Sequence, residues 1–238
     1  MATSNVGGDK YRSFLTPEEL KTTQWRAGPP NYDAVNKLFE DGRTKVWEAG
    51  SLEEYVQNLI KTWEMEIVHK ANPQDCKTFD PKNFVIGING KRYYTLEEVG
   101  KIGGSYQIFL QTSLPPVLRL YNPDNETYDS SQTAFKQVFP RGFAVEILEV
   151  YSGPPVIAYK FRHWGYFEGS FKGHAPTGEL VELFGTSIVE MNEEKKIVKV
   201  EFFYDRGELL AGLIKGKRTS EDHAGDDEAN PSGCPFMA

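Results

Sequence analysis

The chain reads as an α+β domain with a largely antiparallel sheet. Three observations predict this. The first half is dominated by helix signals, among them one strongly amphipathic segment after Ser51. From Phe143 onward the chain carries four long strand-like segments in succession. Short turns, Gly153-Pro154-Pro155 and Asn192–Lys195, join neighbours among them. Helices grouped ahead of sequential strands indicate helices packed on one face of an antiparallel sheet, not alternating βαβ units.

The 238 residues allow one domain with appendages or two small ones. Hydrophobic content of 39%, with 13% aromatics, can build a substantial core. The formal charge of −7 disfavours nucleic acid or an anionic membrane surface as main partner, because both select a basic face. Cys76 and Cys234 show neither disulfide nor zinc spacing, which points to a reducing compartment. No apolar run approaches the roughly 18 residues of a membrane span. The opening MATSNVGGDKYRSF lacks the apolar segment of a secretory signal, so the expected address is cytoplasmic.

Residues 1–30 read as an irregular arm broken by Gly7-Gly8, Pro17 and Gly28-Pro29-Pro30. A short helix can start within it, capped by Thr16 with Pro17 at its first position. Residues 31–215 form the expected domain. Asn31 or Asp33 caps a helix to about Glu40 that ends at Gly42. Ser51 and Glu54 form a capping box. Leu52, Tyr55, Val56, Leu59, Ile60, Trp63 and Ile67 then recur at helical spacing, with charges on the other side, to about Lys70. Asn83–Ile88 reads as a strand, and Asn89-Gly90 as a two-residue hairpin turn into Lys91–Tyr94. Thr95 and Glu98 open a helix to about Ser113, weakened at Gly103-Gly104 by roughly 1 kcal/mol each relative to alanine. Leu118–Tyr121 is ambiguous, with a short strand as one reading, and Ser131–Phe139 reads as a short helix. Phe143–Tyr151, Val156–Tyr166, Val181–Met191 and Lys196–Tyr204 are the four strands. Residues 216–238 are acidic and almost devoid of apolar side chains, as a disordered tail would be.

The chemistry concentrates in KFRHWGYFEGSFKGHAPTG, residues 160–178. Alternation puts Phe161, His163, Gly165 and Phe167 on one face, and Arg162 and Trp164 on the other. A histidine set among phenyl rings can act as a general base or be a satisfied core residue. The glycines recur every four residues between strands, a place that suits bulges and close backbone contacts and matches no phosphate-binding fingerprint. His69, near the helix end, suits the C-terminal dipole as a cation. The histidines lack metal-ligand spacing, so neither a metal nor a cofactor is expected. Asp205 ends the last strand in EFFYDRG; it is either a cap for the next turn or helix, or an acid–base carboxylate at a pocket mouth. Glu201 and Phe203 share its parity. Trp63, Phe109, Phe161, Phe184 and Phe203 are candidate pocket walls along with Glu201.

The pattern G-x3-G-x3-G-x2-P-T-G at Gly165, Gly169, Gly173 and Pro176-Thr177-Gly178 resembles the signature of SnoaL-like proteins, of the nuclear transport factor two-like superfamily. VELFGTSIVEM and KIVKVEFFYD resemble that family's last two strands. Over nearly the whole chain, GGDKYRSF, TWEMEIVHK, FPRGFAVEILEVYSGPP and SGCP resemble the plant pathogen-related family. The resemblance implies a curved sheet wrapped by helices into a cone with an apolar cavity, in a plant cytosolic protein of defence or specialised metabolism. It also implies Asp205 as the acid–base residue of a cofactor-independent cyclase; His163 is added from the residue reading alone.

Three readings stand. One is a protein that binds a small apolar metabolite, on its own or as accessory to another enzyme. The second is a cyclase, isomerase or dehydratase using Asp205 or His163. The third is an interaction module, with a homodimer as one form. Fold alone does not choose among them.

Overall fold

The structure is a computed structural model and describes residues 8–219. Most of the expected tail, with Cys234 and His223, lies outside these residues. The elements are α1 (Pro17–Thr22), α2 (Asp33–Gly42), α3 (Leu52–His69), β1 (Val85–Ile88), β2 (Tyr94–Thr95), α4 (Leu96–Lys101), α5 (Ser105–Phe109), α6 (Tyr128–Val138), β3 (Ala144–Ser152), β4 (Val156–Tyr166), β5 (Leu180–Met191), β6 (Ile197–Tyr204) and α7 (Arg206–Leu213).

One sheet runs in the order β2-β1-β6-β5-β4-β3. Its pairings are antiparallel except β1–β6, where Val85 to Ile88 run parallel to Lys199 to Phe202. Register shifts interrupt β3–β4 and β5–β6. Such bulges bend and twist strands, and they accompany the curvature that lets one face enclose a space.

The helix boundaries follow their caps. Thr16 accepts from the Glu19 N–H, with Pro17 in the first turn. Ser51 Oγ accepts from Glu54 N–H at 3.1 Å, while the Glu54 carboxylate takes the Gly50 N–H at 2.7 Å. The resulting α3 is the spine of the molecule, and it departs from a simple amphipathic stripe. Leu52 and Tyr55 are exposed, whereas Gln57, Lys61, Thr62 and Glu66 are buried. The sheet and β3 edge, the arm and the residues after α3 surround this helix, so charges expected in solvent are enclosed.

Residues 8–30 pack against the domain. Tyr11, Arg12 and Leu15 are buried, and Trp25 bridges to Lys70. Tyr11 meets Phe39 edge-on, forming with Ala144 and Trp164 a second cluster on the outer side of β3–β4. The ladder Glu146–Arg162 and the Arg162–Glu182 ion pair at 2.6 Å lie on that same side.

Three local expectations change. The helix from Thr95 breaks into α4 and α5, because Gly103 and Gly104 take φ of 95° and 103°, which ends one helix and starts another. Leu118–Tyr121 forms no strand; short 3₁₀ turns at Pro116–Leu118 and Pro123–Asn125 occupy this region, as prolines without a ladder donor favour. The Asn89-Gly90 turn forms, with Lys91 N–H donating to Ile88, but pairing resumes only at Tyr94. The glycines of the 160–178 stretch allow close contact. A Cβ on Gly169 would stand 1.9 Å from the Gln137 carbonyl, so β4 can leave the sheet directly beneath α6.

Candidate functional site

A cavity of about 890 Å³ lies between the inner face of the sheet and helices α3, α5 and α6. Strand alternation builds its floor. On β4, Tyr159, Phe161 and His163 point inward; on β6, Phe202 and Tyr204 do. Gly185 on β5 has no side chain where the Phe161 ring sits: a Cβ there would lie 2.5 Å from it. Phe161 and Phe202 then meet edge-on, with centroids 5.8 Å apart. Trp63 and Phe109 close the helical side, and both contact Phe202. Tyr204 donates to the Phe109 carbonyl at 2.6 Å, tying β6 to α5.

Trp63, Phe109, Phe161 and His163 are therefore together on one space. Phe184, Phe203, Glu201 and Asp205 are not. Phe184 and Phe203 are 49% and 37% exposed on the outer face, the opposite parity to Leu183 and Phe202. Glu201 accepts a hydrogen bond from Tyr93 on that outer side. Asp205 is exposed and caps α7, accepting from Gly207 N–H at 2.7 Å. Its geometry is that of a helix cap, since its carboxylate points at the turn it terminates.

His163 faces the cavity. Its ring stacks on Phe143 at 5.3 Å and meets Phe161 edge-on at 5.7 Å. Among the described residues its Nδ1 is buried without a partner. Burial, reinforced by the charge of Lys61, pushes its pKa down to about 4, so the imidazole is neutral at physiological pH. His69 also lines the cavity, beside Tyr32. Burial, with Lys136, Arg12 and Arg26 nearby, pushes it down to about 4. It therefore carries no cation for the helix dipole at neutral pH, contrary to the sequence expectation. His174 pairs through Nδ1 with the Gly216 carbonyl at 3.0 Å.

Two further groups complete the site. Lys61 and Glu64, one turn apart on α3, both line the cavity. The sequence reading gives them to the solvent face, yet one signal was available: Glu64 falls between Ile60 and Ile67 in the apolar stripe itself. Burial raises the Glu64 pKa, against the opposing pull of Arg12 and Lys61. Burial, with Arg12, lowers Lys61 to about 7. The space thus offers a carboxyl with raised pKa, an imidazole and an amine with lowered ones, in aromatic walls. Among the described residues no cluster of His, Cys, Asp and Glu could hold a metal ion.

The chain is 52% identical over 240 residues to the pathogen-related protein of Hordeum vulgare, covering all of this chain and 98% of that one. The chain belongs to the pathogen-related protein family. No protein-family model matches it. Among solved structures, a Jannaschia protein assigned as a SnoaL-like polyketide cyclase is 12% identical and covers 72% of this chain and 100% of its own, with a TM-score of 0.39. An NTF2-like protein of unknown function from Exiguobacterium is 12% identical and covers 73% of this chain and 97% of its own, with a TM-score of 0.32. Among the described residues no helix is long and apolar enough to cross a membrane.

Proposed function

We propose that this protein binds a small, largely apolar metabolite in the space enclosed by sheet and helices, in the setting of plant defence that its barley relative's name indicates. The cavity carries the reading: about 890 Å³, walled by aromatic rings from both layers, with polar groups such as Lys61, Glu64 and His163 on its wall to orient a guest. Native mass spectrometry after incubation with a plant extract tests it. A retained small molecule, lost when Phe161→Arg fills the space with charge, is the expected result. An empty spectrum together with unchanged behaviour of the variant would turn attention to protein partners.

A second reading has its own support. His163 and Glu64 on one cavity form the pair that proton transfer needs, a neutral base and a carboxyl of raised pKa. A cofactor-independent isomerase or dehydratase would use them. Turnover of the retained molecule, lost in His163→Ala and in Glu64→Gln, separates an enzyme from a carrier or accessory protein.

A further inference from the structure

Helix α3 and its C-cap hold two buried lysines. The Lys70 Nζ is fully engaged, with Glu19 at 2.5 Å, Glu66 at 3.0 Å and the Asp75 carbonyl at 2.9 Å. Lys61 is 2% exposed, lines the cavity, and has no hydrogen bond or ion pair with any described residue. Its Nζ sits 3.4 Å from the Phe39 ring centre and 5.1 Å from that of Tyr11. Nζ is not fully occluded, and it belongs to a side chain on the cavity wall.

The charged groups that face it come from four places: Arg12 and Asp9 in the arm, Arg43 after α2, Glu64 on its own helix, and His163 on β4. Burial and the two arginines disfavour a proton on Nζ; Glu64 and Asp9 favour it. Ring faces attract an ammonium, but less strongly than the water it has lost. Burial and repulsion prevail, and the Lys61 pKa falls to about 7. Desolvation in an apolar site beside another cation is the setting in which a lysine amine becomes a nucleophile at neutral pH.

We propose that Lys61 is a covalent capture site for a carbonyl compound, an apolar aldehyde or ketone held in the cavity as an imine on its Nζ. The Nζ lone pair adds to the carbonyl carbon to give a carbinolamine. Glu64, held toward its protonated form, gives its proton to the departing hydroxyl, and the carboxylate so formed takes the proton that the nitrogen loses. Water leaves and C=N remains, with no net oxidation or reduction. The inference rests on the cavity being the binding site proposed above.

The full chain is treated near neutral pH with naphthaldehyde and cyanoborohydride, then read by intact mass and peptide mapping. In parallel, displacement of anilinonaphthalenesulfonate by the corresponding naphthyl alcohol reports occupancy of the cavity without chemistry. The expected product is one reduced adduct on Lys61. It should form roughly a thousand-fold faster than on an exposed lysine, the ratio of neutral amine at a pKa of about 7 and an ordinary 10.4. Lys61→Met and Lys61→Arg should lose the adduct, with dye displacement measured in each variant to show whether the cavity still binds. If the alcohol displaces the dye but labelling is spread over exposed lysines, or persists unchanged in Lys61→Met, the imine is overturned and binding stands. If there is neither displacement nor a Lys61 adduct, both are overturned.

Discussion

The middle and the C-terminal end of α3 use the same residue types in opposite ways. Toward the C-terminus, the Glu66 carboxylate is saturated by Lys70, by the backbone N–H groups of Lys77 and Thr78, and by the Thr78 hydroxyl. Lys70 reaches on to Glu19 of α1. Burial alone would lower the Lys70 pKa, but hydrogen bonds with Glu19 and Glu66 raise it above the ordinary value. One turn and a half earlier, Lys61 and Glu64 have no such partners among the described residues, and both are displaced toward their neutral forms. Satisfied charge fastens the arm to the spine; unpaired charge lines the cavity. Perturbed groups of the second kind mark sites where chemistry or recognition occurs.

The largest expected effect breaks the comparison at its paired end. Glu66→Ala leaves two backbone donors and the Thr78 hydroxyl without their acceptor and takes one of the two carboxylates from buried Lys70, and should cost about 3–5 kcal/mol in urea unfolding. Lys61→Met removes an unpaired charge and should lie within about 1 kcal/mol of wild type, or above it. Equal losses in the two variants would erase the distinction.

The pH dependence sharpens it. The folded Lys61 pKa of about 7 lies below the unfolded value, so between about pH 7 and 10.4 the unfolded chain binds more protons. Stability from this group therefore rises with pH across that window, by at most about 1.4 kcal/mol per unit, and its penalty is complete below pH 7. Lys61→Met should flatten the slope. His163, with a folded pKa of about 4, has the same sign at lower pH: its contribution is lost as pH falls from about 6.5 toward 4. His163→Gln should remove that loss in acid titrations followed by circular dichroism.

Smaller effects separate the inner face from the outer. Asp205→Ala should cost about 1 kcal/mol, the worth of a helix cap, and leave dye binding in the cavity unchanged. Altered dye affinity there would return Asp205 to the site. Phe184→Ser with Phe203→Ser should change stability by only about 0.5 kcal/mol, because both rings are exposed. Sedimentation of this pair tests a homodimer through the outer face: a shift toward monomer supports it, and a wild-type monomer ends it.

Much of the fold was legible in the sequence because its signals are local. Val156–Tyr166 matches β4 residue for residue, and Ser51 marks the start of α3. The glycine break between α4 and α5 was visible as weakness but not as two helices, since a positive φ is a property of the backbone. The site was legible only in half. His163 and Phe161 follow from alternation along β4. On β6 the same alternation offers two parities, and only the sheet's packing decides that Phe202 and Tyr204 point inward while Glu201, Phe203 and Asp205 point out. Lys61 and Glu64 stayed hidden because burial of a charge depends on the arm and sheet that surround α3.

The parallel pairing of β1 with β6 has a consequence for the order of events in synthesis. Val85 finds its partner in Lys199, so β1 emerges long before the strand that completes it. Pairings so distant in sequence form late and slow folding. Until the last strand is made, the ring-lined underside of the spine has no floor and stands open to other chains, so a vectorial route from the ribosome would favour early shelter of this half by a chaperone.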